Sequence, residues 1–301
     1  MSTFSYHVFV SVVRYGSFFH ASQLLNVTPS AVSHSINQLE EQLGFPLFLR
    51  SRSGMTLTSE GSQVLPYIQQ LLSDEATLMQ ISDDIKGLQS GSIKIGAFSS
   101  VCINWLPHIL GVFSKKYPEI DISIVQGSFE EITQYIKFGE LDVGFTTLPV
   151  SENLDVIPLL EDPIYCVTPE GFVPKNGQTM TEQDIVNHKF ILQKVDYDRD
   201  TKLILDYYRV EPNAINFSID DQSIIAMVEA GIGLGILPKL ALQKNPGNIA
   251  IIPFEKPASR KIVLVTNKSK VASPSVIELV TEIKHFIEKT YNTKVTPSDE
   301  K

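Results

Sequence analysis

The stretch from Thr28 to Gly44, TPSAVSHSINQLEEQLG, is bounded so firmly at both ends that it predicts one helix and little else. Thr28 is an N-cap residue type, its hydroxyl able to accept from a free backbone N–H. Pro29 suits the first helical position, where no intrahelical partner is lost, and Gly44 supplies the stop. Between these signals Val32, Ile36, Leu39 and Leu43 recur at the period of one buried helix face. The opposite face carries Ser30, Ser33, His34, Asn37 and Glu41, short donors and acceptors of the kind that reach base edges in a DNA groove. Taken alone, such a pattern is that of any amphipathic surface helix. The flanking sequence decides between the two readings.

Upstream, Phe4 to Tyr15 places Tyr6, Phe9, Val10 and Val13 on one helical face. Gly16 ends that helix, and Ser17 caps a short second one whose inner side is Phe18, Ala21 and Leu25. Asn26-Val27 is then a turn into the helix at Thr28. Two small helices joined by a few residues, the second polar on its outer face, are a helix-turn-helix. Downstream, Met55-Thr56-Leu57-Thr58 alternates as a short strand after the turn Ser53-Gly54, the pattern of a wing. Arg50 and Arg52, two apart on an extended piece, point the same way and suit phosphate or minor-groove contact.

The charge balance sharpens this. The chain has 301 residues and a net charge of −9, which argues against nucleic acid as a general partner. Residues 1–60, however, hold three basic residues (Arg14, Arg50, Arg52) against three acidic (Glu40, Glu41, Glu60), so the whole excess lies beyond them. An acidic remainder repels phosphate and keeps DNA on the N-terminal end.

Glu60 to Gly87 reads as a long helix with an apolar seam of Leu65, Ile68, Leu72, Ala76 and Met79. A second copy of the chain is the economical cover for that seam, which predicts self-association as a homodimer or homotetramer.

The run GSFFHASQLLNVTPSAVSHSINQLEEQLGFPLFLRSRSGMTLTSEG resembles the N-terminal domain of the LysR-type transcriptional regulators, without a gap. The resemblance implies a winged helix-turn-helix over 1–60 and a dimerising linker helix over 61–87, with Thr28, Pro29, Ser30, Ser33, His34, Asn37, Arg50 and Arg52 meeting a double-stranded operator. The family most often has glutamine and then proline after the capping residue, and arginine in mid-helix. Here Pro29, Ser30 and His34 stand there, so the family's base preference does not carry over at those positions.

After a hinge at 88–91 the texture changes to alternating strands and helices. SIKIGAF, IDISIVQG and LDVGF are strands, separated by a helix that starts at Ser99-Ser100, with Leu106, Ile109, Leu110 and Phe113 on its core face, and by a helix from Ser128-Phe129-Glu130-Glu131, a capping-box spacing. That order, β-α-β-α-β, predicts a parallel sheet with right-handed crossovers. A second unit follows: PIYCVT, a helix over Thr181 to Asn187, KFILQ, a helix over Asp200 to Arg209, AINFSI, a helix capped by Asp221, and GLGIL. IVLVT and a terminal helix from Val276 to Tyr291 return to the first unit, and Asn292 to Lys301 is expected to be a disordered tail. The chain is thus α/β overall. The resemblance implies a two-lobed effector domain like that of periplasmic binding proteins over 92–291, with lobe I at 92–163 and 266–291 and lobe II at 164–265.

In such a module a ligand lies between the lobes, at the carboxyl ends of strands where helix N-termini favour an anion. Ser99 and Ser100, Ser128, and Thr146 and Thr147 follow the first three strands, and Gln193 faces them from the second lobe. These predict a site for a small anionic metabolite, and the resemblance points to the same loops. Ligand closing the lobes would change how protomers pack.

Catalytic signatures are missing. Gly231-Ile232-Gly233-Leu234-Gly235 has a helix before it and a strand after it, the reverse of a dinucleotide fingerprint. The six histidines form no HExxH pair, no Gly-x-Ser-x-Gly elbow occurs, and Cys102 and Cys166 lack metal-ligand spacing. The expectation is no enzyme, no cofactor, no metal and no membrane partner, and, with no signal peptide at the start, a cytoplasmic location. Two alternatives stay open: a DNA-binding protein whose C-terminal module serves only oligomerisation, and a solute-binding protein or enzyme with a structural N-terminal unit.

Overall fold

The N-terminal helices form where capping and periodicity place them. The computed structural model describes residues 2–51, 54–85, 91–150, 154–193, 199–210, 214–217, 221–244, 247–268 and 272–295. Helices α1 (Thr3–Tyr15), α2 (Phe18–Leu24) and α3 (Pro29–Leu43) enclose a small core of Val8, Phe9, Val12, Ala21, Val32, Ile36 and Leu39. The buried face of α1 is centred on Val8, Phe9 and Val12, whereas the sequence pattern favoured Tyr6, Val10 and Val13, which are only partly covered. α1 packs against α2, α3 and the following long helix, so its covered arc is displaced from the one its periodicity suggests.

A hairpin of β1 (Phe48–Ser51) and β2 (Gly54–Leu57) follows α3, with Phe48 opposite Leu57. Only its second arm was expected, because FLRS does not alternate. Thr58 is not in the strand. Its hydroxyl donates to Pro46 O (2.8 Å) and accepts from Gly61 N (2.8 Å), which opens α4 (Ser59–Ile85). The helix runs through Pro66 and gives up one backbone bond there. Of the sequence-derived hinge at 88–91, Gly91 is already the first residue of β3, and 86–90 lie outside the described residues.

Lobe I is built on β3 (Gly91–Ala97), flanked in parallel by β4 (Ile120–Gln126) and β5 (Val143–Thr147). The helix expected to run from Ser99 is two: α5 (Ser99–Asn104) and α6 (Leu106–Lys116), parted at Trp105, where Pro107 has no N–H to continue the ladder. α7 (Phe129–Lys137) carries the second crossover.

The strand β6 (Leu154–Pro169) is far longer than the expected PIYCVT and belongs to both lobes. Its first part pairs with β11 (Ser259–Asn267); its last part pairs with β9 (Gly235–Pro238) and β10 (Ile249–Pro253). The helices of lobe II are α8 (Glu182–Val186), α9 (Arg199–Tyr207) and α10 (Asp221–Glu229). Its parallel pair β7 (Phe190–Gln193) and β8 (Ala214–Phe217) joins β9 through a bridge from Phe190 to Leu234. Gly233 permits that approach, since a Cβ there would sit 2.9 Å from Lys189 O.

Three expectations are corrected. Residues 259–265 belong to lobe I, because the whole of β11 pairs with lobe I strands β5 and β6. Asp221 is the first residue of α10, inside it rather than capping it. The C-terminal tail does not begin at Asn292: α11 (Pro274–Tyr291) ends there, and Val295 folds back onto the lobe I core, its N–H held by Glu288 Oε1 at 3.0 Å. Residues 296–301 lie outside the described residues.

Candidate DNA interface and effector cleft

The outer face of α3 is assembled by its own first turn. Thr28 Oγ1 accepts from Ala31 N (3.2 Å) and lies 2.9 Å from Ser30 Oγ, which fixes the start of the helix. Thr28, Pro29, Ser30, His34 and Asn37 are exposed together, with Ser33 half-buried beside them. Val32, Ile36 and Leu39 hold the opposite side in the core. Arg50 lies in β1 opposite Met55; its side chain and the whole of Arg52 lie outside the described residues.

One contact that sequence reasoning missed ties this hairpin to the helix. Glu40, near the end of α3, accepts from the backbone N–H of Leu47 (2.6 Å) and of Phe48 (3.3 Å). Phe48 then packs its ring 5.4 Å from Phe9, and Met55 N donates to Gly16 O at 3.0 Å. A half-buried glutamate in the last turn, where the helix dipole disfavours it, was the available signal.

The effector cleft follows from strand direction. β5 runs antiparallel to β11, which enters lobe I from the lobe II side, so the carboxyl ends of β3, β4 and β5 face the crossover between the lobes. Ser99 and Ser100, Ser128, and Thr146 and Thr147 are therefore brought to one edge, around the rings of Phe98 and Phe129, whose centroids are 4.9 Å apart. Their accessibility differs. Ser99 and Ser128 are half-buried, whereas Ser100, Thr146 and Thr147 are sealed in the wall. Ser100 Oγ accepts from Arg260 Nη2 (3.1 Å), and Thr146 Oγ1 faces Phe129 O at 3.5 Å. Gln193 ends β7 on the lobe II side, and its side chain lies outside the described residues.

Ser128 caps α7 in a reciprocal box: its hydroxyl accepts from Glu131 N (3.1 Å), and its own N–H donates to Glu131 Oε2 (2.9 Å). Those bonds hold the Glu131 carboxyl below its ordinary range. Glu130 and Glu131 thus bring negative charge to the helix end that was expected to favour an anion. Cys102, on α5, donates its thiol to Ala97 O (3.6 Å), and burial pushes its pKa up to about 11, so it stays a thiol at neutral pH. Among the described residues no group of three or more His, Cys, Asp or Glu could hold a metal ion, and no helix is long and apolar enough to cross a membrane.

Two family models match in tandem. Residues 5–62 fit the model described as "Bacterial regulatory helix-turn-helix protein, lysR family", and residues 86–287 fit that of the "LysR substrate binding domain". The chain belongs to the LysR family of transcriptional regulators. A probable HTH-type transcriptional regulator, LrrA, from Synechococcus elongatus is 29% identical over 89% of this chain and 92% of its own length. Among solved structures, a full-length OxyR variant from Pseudomonas aeruginosa superposes with a TM-score of 0.73 at 19% identity, covering 100% of this chain and 99% of that one. Full-length CbnR in complex with its target DNA gives 0.63 at 18% identity, over 95% and 100%. At these identities the structural likeness speaks for the fold.

As a LysR-family regulator the protein binds operator DNA and a small-molecule effector, and it oligomerises. The linker seam is correspondingly of interest, and it divides. Leu65 and Ile68 pack against the core of the DNA-binding domain itself, Leu72 is half-buried, and only Ala76 and Met79 are exposed. Besides Met79 (57% exposed), large apolar side chains stand in the open on a different face of the helix, at four- and seven-residue spacing: Tyr67 (74%), Leu71 (51%) and Leu78 (65%). α4 starts beside the three-helix core, which takes the part of the seam nearest to it.

Proposed function

We propose that this LysR-family regulator reads its operator with the outer face of α3 and the hairpin after it, dimerises through the Tyr67, Leu71 and Leu78 face of α4, and responds to a small polar metabolite held between the lobes. The DNA-binding unit is assigned to residues 1–60, the linker to 61–85, and the effector domain to 91–295. Thr28, Pro29, Ser30, Ser33, His34 and Asn37 are the proposed base-reading and positioning set, and Arg50 and Arg52 the proposed backbone contacts. The observation that carries the effector reading is the convergence of three strand ends on the crossover, with Ser99 and Ser128 half-exposed there. Open α/β sheets bind ligands at such an edge. The acidic first turn of α7 removes the reason to prefer an anion, so the ligand class is widened to small polar molecules with acceptor groups for the serine hydroxyls. The family and its relatives are transcriptional regulators, which supports a non-enzymatic, cytoplasmic protein.

The test is a melt of the full-length protein against a panel of small polar metabolites, followed by footprinting on the DNA upstream of its gene. Ser99→Ala is expected to abolish both the ligand-induced rise in melting temperature and the ligand-induced change in footprint, and to leave basal operator binding intact. A variant that keeps the full ligand response would move the pocket elsewhere.

A further inference from the structure

Two strands cross between the lobes, β6 outward and β11 back, joined where Ile164 N donates to Ala258 O at 2.9 Å. A two-strand crossover alone is a hinge, free to bend. A third, non-covalent connection lies beside it. The chain leaves lobe II at the end of β9 and enters a 3₁₀ turn, Lys239–Leu242, that sets the Leu240 side chain, fully buried, into the core of lobe I with Phe98 and Trp105.

The backbone of Leu240 is gripped on both sides. Its N–H donates to Asp162 Oδ1 (2.9 Å), and its carbonyl accepts from Asn104 Nδ2 (2.8 Å). Asn104 Nδ2 also donates to Ser100 O (2.9 Å), Ser100 Oγ accepts from Arg260 Nη2 (3.1 Å), and Arg260 Nε returns to Asp162 Oδ2 (3.0 Å). The contacts close a ring: Leu240, Asp162, Arg260, Ser100, Asn104 and back. Its charged pair is almost sealed, with the Arg260 and Asp162 side chains 4% and 2% exposed. Lys244 Nζ adds a bond to Ile103 O (2.9 Å), and Gln243 Oε1 accepts from Tyr291 OH (3.2 Å).

Physical chemistry makes such a ring all-or-none. Withdrawing Leu240 takes one bond from a buried carboxylate and one of the two bonds of the Asn104 amide at once, and buried polar groups that lose bonds cost more than the bonds contributed. We propose that this ring is a latch. It fastens lobe II to lobe I, positions the Ser99–Asn104 helix at the cleft, and must open before the lobes can turn about the crossover. Closure of two free lobes on a ligand is therefore not the resting mechanism of this domain. The inference stands on the ring alone and does not require the effector to bind at Ser99 or Ser128.

Asn104→Ala tests it without leaving a buried charge unpaired. Spin labels on V112C in lobe I and V173C in lobe II, both exposed sites, report the distance between lobes in a C102S background of the full-length protein. In the parent, the Leu240 amide is expected to exchange as slowly as those of β3 and β5, and the labels to give one narrow distance. In Asn104→Ala, exchange at Leu240 is expected to rise about tenfold and the distance distribution to broaden, with β3 and β5 unchanged. Asp162→Asn should give the same pattern with larger amplitude. Fast exchange at Leu240 in the parent refutes the latch by itself, whatever the variants do. So does an Asn104→Ala protein that matches the parent in both readings, or one that speeds exchange equally through β3 and β5, which is the signature of ordinary core packing.

Discussion

Replacing Glu40 by alanine should loosen the wing by an amount that its two bonds define. The 2.6 Å bond from Leu47 N is a charge-assisted contact in a half-buried setting, and the 3.3 Å bond from Phe48 N is near the limit of useful geometry. Hydrogen bonds to charged groups contribute about 1.5–3 kcal/mol, so the pair is worth about 2 kcal/mol. Against this stands the removal of a negative charge from the C-terminal part of α3, which returns about 0.5 kcal/mol. The net loss is about 1.5 kcal/mol, or about a tenfold rise in the opening equilibrium of the hairpin. Native-state hydrogen exchange of the full-length protein reads it directly. In Glu40→Ala, the amides of Leu47 and Phe48 should exchange about tenfold faster, while those of Val32 and Ile36 in α3 hold their rates. Glu40→Gln, which keeps an acceptor without the charge, should fall between the two. If Leu47 and Phe48 exchange at the parental rate in Glu40→Ala, the carboxylate does not hold the wing and the argument fails.

Further expectations concern other parts of the chain. His34→Ala should cost about 1–3 kcal/mol on the operator and almost nothing on random DNA, measured by competition binding; equal losses on both would remove it from base readout. Arg50→Ala and Arg52→Ala should each lower the slope of log K against log salt by about 0.9 per lost phosphate contact, and an unchanged slope would make them bystanders. Leu71→Glu should shift the sedimentation profile toward monomer, whereas Met79→Glu should shift it less; the reverse order would return the dimer face to the original seam. For Glu131 the folded carboxyl is held below its unfolded value, so its stabilisation is present above the ordinary carboxylate pKa and lost as pH falls through the depressed one. The melting temperatures of the parent and Glu131→Gln should accordingly differ most at neutral pH and converge in acid; a pH-independent gap would rule out the linkage.

What the sequence disclosed and what it hid divide by the range of the interaction. Thr28, Pro29 and Gly44 announce α3 because capping is decided within four residues, and Ser128 with Glu131 announces α7 for the same reason. That β3, β4 and β5 run parallel was legible from the succession of strands and helices. β1 was not, since its place is set by the carboxylate of Glu40, beyond the reach of a capping pattern, and by the ring of Phe9 in the first helix. The length of β6 was hidden because its two halves serve different sheets, so its burial never settles into one alternation. Ser100 and Thr146 were legible as strand-end hydroxyls, yet only the fold reveals that both are sealed. The partner of Ser100 is 160 residues away, and Arg260 meets Asp162 across 98, distances at which no local pattern carries information.

On the proposed reading, an effector at the cleft must reach the DNA-binding unit through elements that touch both, and α7 is so placed. Its N-terminal cap, Ser128, lies at the cleft edge. At its other end Asn267 Nδ2 donates to Ile136 O (3.2 Å) and Lys137 O (3.0 Å) and also meets Gln70 Oε1 on the linker helix at 3.5 Å. The loop that follows makes a second contact with the linker: Gln69 Nε2 donates to Glu140 Oε1 (2.7 Å). The packing beneath α7 limits how it can move. A Cβ on Gly144 would lie 2.8 Å from Ile132 and 2.9 Å from Ile136, and one on Gly96 would lie 3.1 Å from Ile132, so the helix already sits as close to the sheet as side chains allow. Inward displacement is blocked, and sliding along the helix axis is the motion we propose for it. A slide pushes or draws the Asn267 and Glu140 contacts on α4, whose outer face carries Tyr67, Leu71 and Leu78. A ligand shifts that equilibrium only by binding one position of α7 more tightly than the other, and the latch around Asp162 and Arg260, by holding the lobes still, leaves α7 as the element on which such a difference acts.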